Sequence, residues 1–101
     1  MVKNIILEKK LFGININGTE IGFTYPKILD IIEYYYNNEI PILGGYIYIK
    51  IANKYEPTYD NWYIEKERFK NSYLQESIQY ARKYIEEYPD KDKVAFVLVP
   101  N

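Results

Sequence analysis

The sequence predicts an α+β fold: a small antiparallel sheet of about three strands, packed by two main α-helices. Three observations carry this. Ile47, Ile49 and Ile51 alternate with Tyr46, Tyr48 and Lys50, and Trp62 and Ile64 alternate with Asn61, Tyr63 and Glu65. That period of two belongs to strands with one apolar face. Two other stretches, beginning at Pro26 and at Tyr73, repeat their apolar residues at intervals of three and four, the helical period. Val94 to Val99 is apolar on both alternating sets, as expected of a strand in mid-sheet or under a helix. The chain has 101 residues and shows no repeat, linker or low-complexity segment, so a single domain over residues 1–101 is expected.

The elements can be taken in order. Val2 to Leu11 reads two ways. Ile5-Ile6-Leu7 suits a short strand, whereas Leu7 and Leu11, followed by Gly13, suit a helix with a glycine stop; the helix is preferred. Asn17-Gly18, between Ile14-Asn15-Ile16 and the pair Ile21 and Phe23, predicts a tight turn rather than a full hairpin. Thr24 is placed to cap a helix with Pro26 in its first turn. That helix puts Ile28, Ile32 and Tyr35 on one side, widened by Leu29, Ile31 and Tyr36, with Asp30, Glu33, Tyr34 and Asn37 opposite. It should end near Asn37-Asn38, before Pro41.

Gly44-Gly45 reads as a flexible lead-in to the first central strand. The segment from Asn53 to Thr58 contains Pro57 and reads as the loop of a hairpin. Its isoleucines and Trp62 should share one face and its tyrosines the other. After the charged stretch Glu65 to Arg68, Ser72 and Gln75 have the form of a capping box. The following helix places Leu74, Ile78, Ala81, Ile85 and Tyr88 on one stripe, with Tyr73, Tyr80 and Tyr84 in a row beside it, and Pro89 stops it.

Composition excludes several classes of function. The chain lacks cysteine and histidine, so thiolate chemistry, disulfides, the commonest zinc ligands and the usual triad base are unavailable. A formal charge of −1 lacks the basic excess needed to grip phosphates. The longest apolar run, Ile40 to Ile49, is too short to span a bilayer, and the N-terminal segment has no signal-peptide cleavage pattern. A cytosolic protein is expected, with neither a nucleic-acid nor a membrane partner.

Candidate chemistry is sparse. Gly44-Gly45 lacks the third glycine and following helix of a phosphate loop. Asp60 stands beside Trp62, where a large aromatic can desolvate a carboxylate. The simpler reading makes Asp60 and Asn61 turn residues bonded to local backbone. Asp30 and Glu33 share a helix side; a catalytic or metal-binding pair is conceivable, and a solvated polar face explains them more cheaply. No cofactor is expected.

The unusual feature is thirteen tyrosines against one tryptophan and four phenylalanines. An AT-rich coding sequence would also favour this bias. Tyrosine is nonetheless a good interface residue, offering area and a hydroxyl at small entropic cost. Tyr46, Tyr48 and Tyr63 fall on the non-isoleucine face of the central strands, with Lys50 and Glu65 at its edges. The sequence leaves open whether another segment covers that face. Outside the predicted core, the candidate partner-binding residues are Tyr34, Tyr46, Tyr48 and Tyr63, with Glu33, Asp60 and Glu65 as polar companions.

Taken together, Ile42-Leu43-Gly44-Gly45-Tyr46-Ile47-Tyr48, Tyr59-Asp60-Asn61-Trp62-Tyr63, then Ser72, Ser77, Ala81, Tyr84-Ile85, Tyr88, Phe96, Leu98 and Val99 resemble a family of small immunity proteins. These serve bacterial polymorphic-toxin systems, in which a cell neutralises a toxin delivered by its kin. The match runs from about Thr24 to Val99; its specific parts are the Gly-Gly and Asn-Trp-Tyr elements at their relative spacing. In that family an acid usually follows the glycine pair. Tyr46 stands there in this chain, so where that acid contacts the toxin in relatives, the contact here differs. The resemblance implies a non-enzymatic inhibitor that binds a cognate toxin domain in the cytosol. The other readings of the chain are a small carboxylate-dependent hydrolase and an RNA-binding module.

Overall fold

The computed structural model describes residues 13–16, 20–65 and 72–100. The expectations for Val2 to Leu11, for Asn17-Gly18 themselves and for Lys66 to Arg68 lie outside these. The segments flanking Asn17-Gly18, where the sequence predicts a tight turn rather than a full hairpin, do pair antiparallel, Ile14 with Gly22 and Asn15 with Ile21. Among the described residues five strands, all antiparallel, run β1 (Ile14–Asn15), β2 (Ile21–Thr24), β3 (Ile42–Ile51), β4 (Lys54–Tyr63) and β5 (Val94–Pro100), in the spatial order β1-β2-β5-β3-β4. Among the described residues two α-helices, α1 (Lys27–Asn37) and α2 (Tyr73–Glu86), join these strands in an α+β architecture.

The expected count of about three strands is therefore corrected to five. The reason lies in β5. Its residues Val94 to Leu98 are buried, and so deep a backbone needs a ladder partner along each edge; β3 supplies one. The short β2 supplies the second flank, through Phe23 opposite Phe96 and Thr24 opposite Ala95. Thr24 consequently ends a strand and does not cap α1; Pro26 occupies the cap position, with no side-chain capping bond. Ser72 likewise stands at the cap of α2 without a side-chain capping bond, so the expected capping box does not form.

Register decides which side chains share a face. Ile47 lies opposite Phe96, and Gly45 opposite both Leu98 and Trp62, which places these residues with Phe23 on one side of the sheet. The helices pack there. Ile28, Ile31, Ile32 and Tyr35 of α1 and Tyr73, Ile78, Ala81 and Ile85 of α2 are buried in the same core. Tyr36, expected to widen the α1 stripe, is instead 40% exposed at its margin. Rings continue the contact: Trp62 lies 4.7 Å from Tyr84, and Tyr88 meets Phe96 edge-on at 5.8 Å. Ser77, buried inside α2, accepts a hydrogen bond from the Ile42 amide at 3.1 Å and donates to the Leu74 carbonyl. It ties the start of β3 to the helix and satisfies its own hydroxyl in the process.

Three local features depart from expectation. The glycine pair is inside β3, where both positions are close-packed. A Cβ on Gly45 would stand 2.6 and 2.8 Å from two atoms of the Trp62 indole, and one on Gly44 would strike the Trp62 carbonyl oxygen. These glycines admit Trp62; they do not confer flexibility. Second, the residues Lys54 to Thr58 belong to β4. The hairpin turns through Ala52-Asn53, with Ala52 at the positive φ of 56° that such a short connection requires. Pro57 is tolerated because β4 is the sheet edge, where a missing N–H breaks no ladder. Ile51, at the same outer end, is 57% exposed rather than in the core.

The third departure is a bulge. Tyr46 pairs with Asn61 and Tyr48 with Pro57, so β4 spends four residues where β3 spends two. Tyr59, in the bulge, has φ 69°. The Thr58 hydroxyl donates to the Ile47 carbonyl at 2.8 Å and accepts from the Asp60 amide at 3.1 Å. One side chain thus replaces the interrupted ladder.

Candidate protein-binding face

The sheet face away from the helices is half covered, which answers the question the sequence left open. On its β2–β5 side Ala95 and Val97 are buried, and Ile16 sits beside Val97 over Gly22. On its β3–β4 side Tyr46 and Tyr63 remain 45% and 63% exposed, with Asn61 opposite Tyr46. Tyr48 stands at the boundary. It is half-buried, and its hydroxyl donates to Glu20 at 2.7 Å. That hydrogen bond, followed by burial and the negative charge of Glu20, holds the phenol neutral and pushes its pKa up to about 12. Tyr48 therefore joins the patch as an anchored, less mobile member. Glu65 is exposed just beyond the end of β4.

The remaining predicted site residues are elsewhere. Glu33 and Tyr34 are on α1, in the helical layer on the other side of the sheet. Glu33 pairs with Arg82 of α2 at 3.1 Å, both side chains being well exposed. Tyr34 is half-buried and meets Tyr35 edge-on. Asp60 occupies the bulge, where it accepts a hydrogen bond from the Tyr88 hydroxyl at 2.7 Å. It is a polar strut between strand and helix, exposed to solvent rather than desolvated by Trp62. The structure thus brings Tyr46, Tyr48 and Tyr63 together, turns Asp60 to the helix side of the edge strand and separates Glu33 and Tyr34 from them.

Sequence reasoning missed a second aromatic cluster around the bulge. Tyr59 is 84% exposed, and Tyr80 of α2 is 41% exposed. Asp60, Tyr84, Glu87, Tyr88 and Pro89 line a shallow hollow of about 370 Å³. Tyr84 is held above the usual phenol pKa by burial and then by the charge of Asp60. Tyr88 is raised by burial and by its bond to Asp60, with Thr58 opposing. Both rings are neutral and aromatic at ordinary pH. The signal available in the sequence was the spacing of Tyr80, Tyr84 and Tyr88, four residues apart and hence one row on a helix.

Chemically, these surfaces offer aromatic area, hydroxyls and scattered carboxylates. Among the described residues, no group of three or more carboxylates is placed to share a metal ion. No described helix is long and apolar enough to cross a membrane.

No curated protein and no solved structure matches the chain. The family model described as Immunity protein 40 matches residues 10–100. The two elements most specific to the resemblance meet in space: Trp62 lies over Gly45, and Tyr63 pairs with Gly44. With that match over nearly its whole length, the chain belongs to the Immunity protein 40 family, a family of immunity proteins of toxin systems.

Proposed function

We propose that this protein neutralises a cognate toxin domain by binding it in the cytosol as a single domain, without catalysis, through the open β3–β4 face of the sheet. The observation carrying the proposal is the pair Tyr46 and Tyr63, two large aromatic side chains left in water on adjacent strands of a rigid sheet. Their backbones are fixed by the ladder and their two side-chain torsions cost little to immobilise, so they suit a binding anchor. Tyr48, already ordered by Glu20, adds a hydroxyl-bearing margin at small further entropic cost. Glu65 is exposed just beyond β4, and Asp60 stands on the helix side of the same edge strand; such carboxylates speed encounter with a basic partner more than they tighten the complex.

The test is replacement of Tyr46 and Tyr63 by Ala, singly and together. Interface tyrosines that act as hot spots cost about 2 kcal/mol each, so the double variant should bind the toxin domain at least a hundredfold more weakly. Its stability should change by only about 1 kcal/mol or less, because both side chains are solvated. Loss of protection in step with loss of stability would assign these tyrosines to the fold and move the binding face elsewhere.

A further inference from the structure

The bulge in β4 spends conformational strain on displaying one side chain. Tyr59 has φ 69°, in the left-handed region that a bulky L-residue rarely occupies, and is 84% exposed. Three hydrogen bonds hold the turn: Thr58 to the Ile47 carbonyl, the Asp60 amide to Thr58, and Tyr88 to Asp60. A bulge has a structural use, since it turns an edge strand away from pairing with other chains. That use needs a residue tolerant of positive φ, which glycine or asparagine supplies at lower strain. It does not need an exposed phenol ring.

We infer that the bulge is a docking knuckle: Tyr59 inserts into an apolar socket of a basic toxin surface, while an arginine of that surface enters the hollow formed by Asp60, Glu87, Tyr84 and Tyr88. This deepens the reading above and rests on it, because it assumes that the partner is the cognate toxin domain. The chemistry of the hollow selects the partner's side chain. Two carboxylates and two neutral aromatic rings line it, together with Pro89. A guanidinium is planar, stacks on aromatic faces and forks onto a carboxylate, so it uses both kinds of wall at once. Tyr88 occupies one Asp60 oxygen and orients the carboxylate, leaving its other oxygen for such a contact. Charge complementarity therefore favours a cationic protein surface. The knuckle stands at the sheet edge: Asn61, two residues after Tyr59, pairs with Tyr46 on the open face, while the hollow lies on the helix side. A partner that uses both wraps around β4, the edge strand.

Tyr59→Gly separates display from folding, because glycine suits the φ while removing the ring. Binding of the wild type, Tyr59→Gly, Tyr59→Phe, Glu87→Gln and the Tyr46/Tyr63 double-alanine variant would be measured by calorimetry. The probe is the purified cognate toxin domain, defined as the one whose lethality this chain suppresses on co-expression. Melting temperatures and a salt series complete the set. The inference expects Tyr59→Gly to melt at or above the wild-type temperature yet bind at least thirtyfold more weakly. Tyr59→Phe should bind within a few-fold of wild type. Glu87→Gln should weaken binding severalfold and flatten its salt dependence. Wild-type affinity in Tyr59→Gly, or a loss that only tracks its melting temperature, overturns the knuckle. An unchanged salt dependence in Glu87→Gln overturns the arginine contact. If the double-alanine variant binds normally while Tyr59→Gly does not, the knuckle stands and the open-face reading falls. If the wild type does not bind, both fall.

Discussion

Replacing Gly45 with Ala tests the packing on which the sheet depends. The added methyl would lie 2.6 and 2.8 Å from Trp62 Cζ3 and Cζ2, and nearer still to Cη2, where ordinary contact begins at about 3.4 Å. The indole would have to withdraw by roughly an ångström. It has nowhere to go, because Tyr84 stacks on it at 4.7 Å and Trp62 is only 5% exposed. Overpacking of this kind costs about 1–3 kcal/mol, which for a domain of this size lowers Tm by roughly 5–20 °C. Urea unfolding followed by the fluorescence of the single tryptophan gives the number for Gly45→Ala directly. Far-UV circular dichroism serves for variants that lack the indole. The decisive form is a double-mutant cycle with Trp62→Ala. Without the ring the three closest contacts of the methyl are gone, so most of the Gly45→Ala cost should vanish, leaving a coupling energy of about 1–2 kcal/mol. Additive costs would refute the claim that the glycine exists to admit the indole.

Other outcomes follow from the same geometry. Trp62→Ala should cost about 3–5 kcal/mol in chemical unfolding, as for a large buried aromatic. Trp62→Phe should cost markedly less, because the indole Nε1–H is buried without a hydrogen-bond partner among the described residues and its removal relieves a desolvated donor. Alkaline pH should destabilise the fold in a defined window. Tyr48 has a folded-state pKa of about 12 against an ordinary value of 10.0, so the native state holds a proton that the unfolded chain releases first. Its contribution is complete below pH 10 and is lost as the pH rises towards 12. Tyr48→Phe should flatten that part of the stability profile, and an unaltered profile would remove the Glu20 bond from the account.

The parts of the fold that are periodic were readable in advance. Alternation placed Trp62 with Ile47 on the core side and Tyr46 with Tyr63 on the other. Apolar spacing located both helices, and the two-sided apolarity of Val94 to Val99 marked the central strand. What failed depended on partners distant in sequence or on backbone angles without a residue signature. Gly44-Gly45 looked like a flexible lead-in because nothing local reveals an indole seventeen residues later. Pro57 looked like a loop because a proline is excluded from central strands, and only the sheet order shows that β4 is an edge. Tyr59 was invisible, since positive φ is ordinarily signalled by Gly or Asn and here falls on a tyrosine. Among the candidate site residues, alternation grouped Tyr46, Tyr48 and Tyr63 correctly. Helical spacing placed Glu33 and Tyr34 on the polar side of the first long helix, apart from those tyrosines; Glu33 is exposed there, whereas Tyr34 is half-buried against the core.

Hydrogen–deuterium exchange of the protein, free and saturated with its toxin domain, tests the central claim most directly. If the toxin docks on the open sheet face and its adjoining edge, amide protection should rise along β4, strongest from Tyr59 to Tyr63, with α1 unchanged. Protection confined to α1 around Glu33, Tyr34 and Tyr36, with β4 exchanging as in the free protein, would contradict it.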